Sequence, residues 1–193
     1  MQVARTVRAE RRRSVVRDEV VETAWELARE GGVGAVTLKN VAESMGIKPP
    51  SLYEYVRSLH GLFDLLFQDG WRALLDEVSA LREQGADEKT WFRRLLAFCV
   101  EDPARFQLML QRPVPGFVPS EESMALSQAV YDEMRVALKR FGVTRQRDVD
   151  LIDSLLLGLA GNQVANDPGG TRFTSLADDA VDLVLNHLNR RRT

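Results

Sequence analysis

Between Thr37 and Leu62 the chain reads TLKNVAESMGIKPPSLYEYVRSLHGL, and one cation and three hydroxyls fall close together in it: Lys48, Ser51, Tyr53 and Tyr55. Phosphate oxygens accept hydrogen bonds from such groups, so the chemistry on offer is recognition of a polyanionic backbone. Pro50, following Pro49, can occupy the first turn of a helix without forfeiting a hydrogen bond, so the pair starts a helix near Lys48. That start is expected to leave backbone amides facing outward. Catalysis finds little material. His60 and His187 are the only two histidines, and neither has a nucleophile or a metal-ligand partner at helical spacing. Asp178-Asp179 and Glu121-Glu122 lie at helix starts, where negative charge is favourable for structural reasons alone. The expectation is therefore no catalytic site, no metal and no cofactor.

The elements that position these side chains are legible around them. Thr37 is an N-cap candidate, with Leu38, Val41 and Ala42 on one face of a helix running to about Ser44. Met45-Gly46-Ile47 supplies a turn in which Gly46 suits a left-handed backbone, while Ile47 and Leu52 plug the angle to a second helix from Lys48 to Tyr55. Upstream, Val16, Val20, Ala24, Leu27 and Ala28 form an apolar stripe from about Ser14 to Glu30, with Trp25 beside it as core, and Gly31-Gly32 ends it. Three helices in some 45 residues fit a small DNA-binding head.

The run T-L-x-x-V-A-x-x-M-G-I-x-x-x-S-L-Y-x-Y-V resembles the helix-turn-helix signature of the TetR family of transcriptional repressors. The resemblance implies a homodimer on a palindromic double-stranded DNA operator, released by a small-molecule effector. The implied DNA-binding positions are Thr37, Lys48, Pro50, Ser51, Tyr53 and Tyr55. Most members carry a backbone-contacting lysine where this chain has Leu59, which puts that contact in doubt; His60 next door is the candidate replacement. The competing reading is a protein-interaction module whose helix-turn-helix no longer binds DNA; an enzyme is a more remote one.

Composition bounds the rest. The 193 residues, 45% of them hydrophobic, can bury a substantial core, and a single cysteine, Cys99, excludes an internal disulfide. Net charge is −2, but residues 1–17 carry +5 and the remainder −7, so the basic end adjoins the helix-turn-helix. Residues 1–13 are expected to be a flexible basic arm, 14–60 the DNA-binding domain, and 61–193 a helical effector-binding and dimerisation domain. No segment approaches the length of a membrane span, and the expected location is the cytoplasm.

Beyond the head, helical spacing predicts a long bridging helix over about 59–84, one over 87–100, a short one over 103–111, then helices over about 121–141 and 145–165 and a last one capped by Ser175. The loop 112–119 with its three prolines and the loop 166–170 separate them. Arg190, Arg191 and Arg192 would favour the final helix dipole. The fold class is all-α, with about nine helices. Phe67, Trp71, Trp91, Phe98, Phe106, Met109, Met124 and Tyr131 are mostly core by type, yet the resemblance implies a ligand cavity among these helices. Asn162 and Gln163 are the polar residues that could orient a ligand there. Small residues Ser154, Gly158 and Gly161 permit close helix approach, so Leu156, Gly158 and Leu188 are the candidate dimer interface.

Overall fold

The computed structural model describes residues 2–190, with side chains from Arg11 onward except that of Asn189; Arg191 and Arg192 lie outside the described residues. Among the described residues the fold is all-α, without strands. The helices are α1 (Gln2–Gly31), α2 (Leu38–Ser44), α3 (Pro49–Leu52), α4 (Leu59–Glu83), α5 (Glu88–Glu101), α6 (Pro103–Leu110), α7 (Glu121–Arg140), α8 (Gln146–Asn166) and α9 (Ala177–Arg190). Short 3-10 turns at Val33–Ala35 and Thr174–Leu176 complete the list of helical elements.

The Thr37 cap expected from the sequence is present, and other helix ends are closed in the same way. Thr37 and Asp87 accept the backbone N–H of Asn40 and Thr90 on their side chains, and the Ser58 hydroxyl accepts from Gly61 N at 3.0 Å. Gly85 and Gly142, with φ of 66° and 80°, end α4 and α7. The next amide reaches back five residues in each case, Ala86 N to Leu81 O at 3.1 Å and Val143 N to Leu138 O at 2.9 Å.

Three expectations differ from what is found. The helix α1 reaches back to Gln2, through residues expected as a flexible arm. The run QVARTVRAERRRS holds no Gly or Pro and is rich in Ala, Arg and Glu, which favour helix once α1 is nucleated downstream. The second helix of the helix-turn-helix is one turn long, Pro49–Leu52, continued to Val56 by turns such as Tyr55 N to Leu52 O at 2.9 Å. Ser175 does not cap the last helix: its hydroxyl donates to Arg172 O at 3.1 Å, and α9 starts two residues later.

The chain divides into two compact units, Met1–Trp71 with Ala104–Met124, and Arg72–Pro103 with Ala125–Thr193. The unit that holds the helix-turn-helix thus also takes in α6, the proline loop and the first residues of α7. Its core joins Val20, Ala24, Trp25 and Ala28 of α1 to Val41, Ala42, Leu52, Val56, Leu62 and Leu66, with Ala104 and Leu108 from α6. Trp25 is 1% exposed; its indole N–H donates to Asp69 at 2.8 Å, and the Arg105 guanidinium lies 5.9 Å from its ring centre. Asp69→Ala is expected to cost about 1–3 kcal/mol, because a buried donor then loses its acceptor. A urea titration followed by tryptophan fluorescence measures it; Asp69→Asn, which keeps an oxygen acceptor, should recover most of the loss.

In the second unit α5 packs against α8 and α9. Arg94 donates to Glu77 at 2.6 Å and to Glu101 at 2.7 Å, tying α4 to α5. Lys89 pairs with Asp182 at 2.8 Å and Arg93 with Asp178 at 3.3 Å across the α5–α9 surface; these exposed pairs add little stability each. Gln163, buried at 3%, organises the loop before α9. Its side-chain oxygen accepts from Phe173 N at 2.8 Å and Thr174 N at 3.2 Å, and its amide donates to Asp167.

Candidate DNA interface and effector cavity

The turn between α2 and α3 fixes which side chains face outward. Gly46 adopts φ 68°, and Ile47 N bonds back to Ala42 O at 2.9 Å, so the chain reverses within three residues. Lys48 is extended (φ −76°, ψ 141°) and hands over to the two prolines. Leu52 and Val56, 1% and 3% exposed, anchor the underside of the segment. That anchoring leaves Lys48, Pro50, Ser51 and Tyr53 on the solvent face. Tyr53 keeps 53% of its surface exposed, unusual for a large aromatic with no internal role. Thr37 is half-buried and its oxygen accepts Asn40 N at 3.1 Å, so its first task is to cap α2. The outward amides expected at this start do not exist: Pro49 and Pro50 carry no N–H, and Ser51 N–H bonds to Lys48 O at 2.9 Å. Recognition here falls to side chains.

Beside this face lies a groove lined by Arg13, Ser14, Arg17, Tyr55, Arg57 and Asp64. Tyr55 is half-buried and packs on the core, so its hydroxyl belongs to the groove rather than to the outer row. Arg13 donates to Glu54 O at 2.6 Å, fastening α1 to the end of the recognition segment. The one acid is already engaged. Burial pushes the Asp64 carboxyl up, but hydrogen bonds from the Ser123 hydroxyl at 2.6 Å and Ser120 N at 2.8 Å outweigh it and hold the group below the usual carboxylate range. The groove therefore presents three guanidinium groups above an ionised carboxylate whose oxygen is taken up by Ser120 and Ser123. Leu59 turns inward against the core. His60 is exposed, with its ring edge-on to Phe117 at 6.1 Å. The sequence reading missed Arg57; its place two residues before Leu59, in a stretch short of cations, was the available signal.

The second unit contains an apolar cavity of about 60 Å³ walled by Trp91, Phe92, Leu95, Met134, Leu138, Phe141, Ile152 and Leu156, with Glu88 and Asp153 as its charged members. Of the residues proposed from sequence as ligand contacts, Trp91 stands in this wall. Phe67, Trp71, Phe106 and Met109 are buried in the first unit, where the Phe67 and Trp71 rings meet at a tilt with centres 5.8 Å apart. Met124, 49% exposed, is in that unit too. Phe98 is buried and Tyr131 half-buried in the second unit; burial, and then the charge of Asp153, raises the Tyr131 phenol. Burial likewise pushes the Cys99 thiol up to about 12, which leaves it protonated and inert at neutral pH. Asn162 is exposed and donates to Gly158 O at 2.8 Å. The charged groups at the cavity are thus Glu88 and Asp153, neither of which the sequence singled out. Among the interface candidates, Leu156 and Leu188 are buried within the unit and Gly158 is exposed.

A helix-turn-helix presented on a three-helix core, together with a further helical unit, is the all-α architecture against which this chain is compared. The sequence model described as bacterial regulatory proteins, tetR family, matches residues 20–77, and through that segment the chain is similar to the TetR family. It is 27% identical over 112 residues to the HTH-type transcriptional regulator Rv1816 of Mycobacterium tuberculosis, an alignment covering 54% of this chain and 47% of that one. The chain thus spans about half the length of the curated relatives it matches. Among solved structures, SCO4313 superposes with a TM-score of 0.78 at 24% identity, covering 92% of this chain and 98% of the other. PfmR of Thermus thermophilus, a TetR family transcriptional regulator, superposes with a TM-score of 0.55 at 23% identity over 86% and 97%. At such identities the superpositions show a shared fold.

Proposed function

We propose that this protein is a sequence-specific transcriptional regulator, a repressor that binds a palindromic operator as a homodimer and acts in the cytoplasm. The observation that carries the reading is the exposed row Lys48, Pro50, Ser51 and Tyr53, held out from a fully packed core by the Gly46 turn. In the major groove, Lys48 would reach a base edge or phosphate, while Ser51, Tyr53 and, through the groove, Tyr55 set backbone register. Thr37 holds α2 in place. The test is a gel shift of Tyr53→Ala against wild type across a salt series, on operator fragments selected from genomic DNA. Loss of a phosphate contact lowers affinity on every sequence and lowers the salt slope by about one. Unchanged operator affinity for Tyr53→Ala would mean that another element reads the DNA. A wild-type chain that shifts no fragment at all would favour the interaction-module reading.

Release by a small apolar or aromatic effector is the second half of the proposal. α4 leaves the helix-turn-helix directly and supplies residues to both units, so a ligand that displaces its later turns can bias the head. A cavity of about 60 Å³ is smaller than the roughly 150 Å³ that accommodates benzene. Binding therefore requires the helices to part, which makes ligand affinity depend on conformation. A preference of about 1–3 kcal/mol for the released state would weaken DNA affinity about 5- to 150-fold.

A further inference from the structure

The cavity of the second unit has a sign. Its charged members are the carboxylates Glu88 and Asp153, and no Lys or Arg stands in its wall. Glu88 lies in the first turn of α5, a position with a structural reason of its own. Asp153 has none: it sits mid-way along α8, half-buried, and makes no hydrogen bond or ion pair among the described residues. Burial, and after it the charge of Asp150, raises its carboxyl, the mark of an acid that lacks a cation. Trp91, 5% exposed and in the same wall, has an indole N–H that meets no acceptor among the described residues. Phe92 and Phe141 add aromatic surface. An acid without a cation and a donor without an acceptor, both in one apolar wall, are what a ligand would complete.

We infer that the cavity selects an apolar amine carrying an oxygen acceptor, its ammonium group at Asp153 and its body against Trp91, Phe92 and Phe141. This rests on the reading of the second unit as an effector site and narrows it. An anionic effector would meet two carboxylates and no cation, and its desolvation would go uncompensated. An ammonium gains a charge-assisted hydrogen bond and the attraction of the ring faces.

Calorimetry on the full chain with 4-methoxybenzylamine, 4-methoxybenzyl alcohol and 4-methoxybenzoate tests it, since the three share shape and differ in charge. The amine should bind about tenfold more tightly than the alcohol, with the carboxylate weakest. Asp153→Asn should remove the preference for the amine, whereas Asp150→Asn, on the exposed side of the same helix, should keep it. Alcohol or carboxylate binding as tight as the amine overturns the ligand class while leaving an effector cavity in place. Amine preference that survives Asp153→Asn overturns the assigned residue, and a wild type that binds none of the three overturns the inference. The gel shift on operator DNA decides the DNA-binding reading independently of all these outcomes.

Discussion

Arg13→Gln, Arg17→Gln and Arg57→Gln combined should reduce the slope of log K against log salt by about 2.7, because each phosphate neutralised contributes about 0.9. At 0.1 M salt the same relation gives a loss of roughly 10²–10³-fold in affinity on specific and non-specific DNA alike. The structural ground is the groove beside the recognition segment, where the three guanidinium groups face a floor whose carboxylate is committed to Ser120 and Ser123. The prediction also bears on Leu59. The inward-packed leucine leaves the backbone contact to another cation, and Arg57 with the α1 arginines would supply it. Titrations at four or more salt concentrations, with circular dichroism to confirm the fold, measure the change. An unaltered slope in the triple variant would place the phosphate contacts elsewhere.

Leu151→Asp together with Leu183→Asp should convert the protein to a monomer in sedimentation and lower operator affinity by about 10²-fold or more, since two linked heads gain that much over one. These residues are chosen because they are large, apolar and open, 38% and 62% exposed on α8 and α9. On α8, Leu151 lies three and seven residues before Ser154 and Gly158, which are also exposed and allow close helix approach. Charged replacement at Leu156 or Leu188 addresses a different question. Both side chains are buried in their own unit, so those variants would report on folding and leave association unresolved. A dimer that persists in the double variant moves the interface away from α8 and α9.

What the sequence determined by itself was whatever depends on neighbours along the chain. Thr37, Gly46 and the Pro49-Pro50 pair act within one or two turns of themselves, and the cap, the turn and the helix start stand where the residue types put them. The helical period likewise marked Trp25, Val41, Ala42 and Leu52 as core, because burial on a helix repeats with the backbone geometry. The end of α3 was set otherwise. Helical spacing suggested a helix on to Tyr55, whereas α3 ends at Leu52 and the chain continues in turns, Tyr55 N to Leu52 O at 2.9 Å and Val56 N to Leu52 O at 3.0 Å. Tertiary structure alone decided which distant residues share a surface. Arg13 and Arg57 become neighbours because α1 is fastened to Glu54 O, a contact 41 residues apart in sequence. The aromatic and methionine residues read as one ligand wall fall instead into two units, since residue type says that a side chain is buried and not which partners bury it. Asp153 escaped notice for the same reason: on paper it is one acid on a helix with acidic neighbours, and only the packing of α5, α7 and α8 turns it toward an apolar cavity.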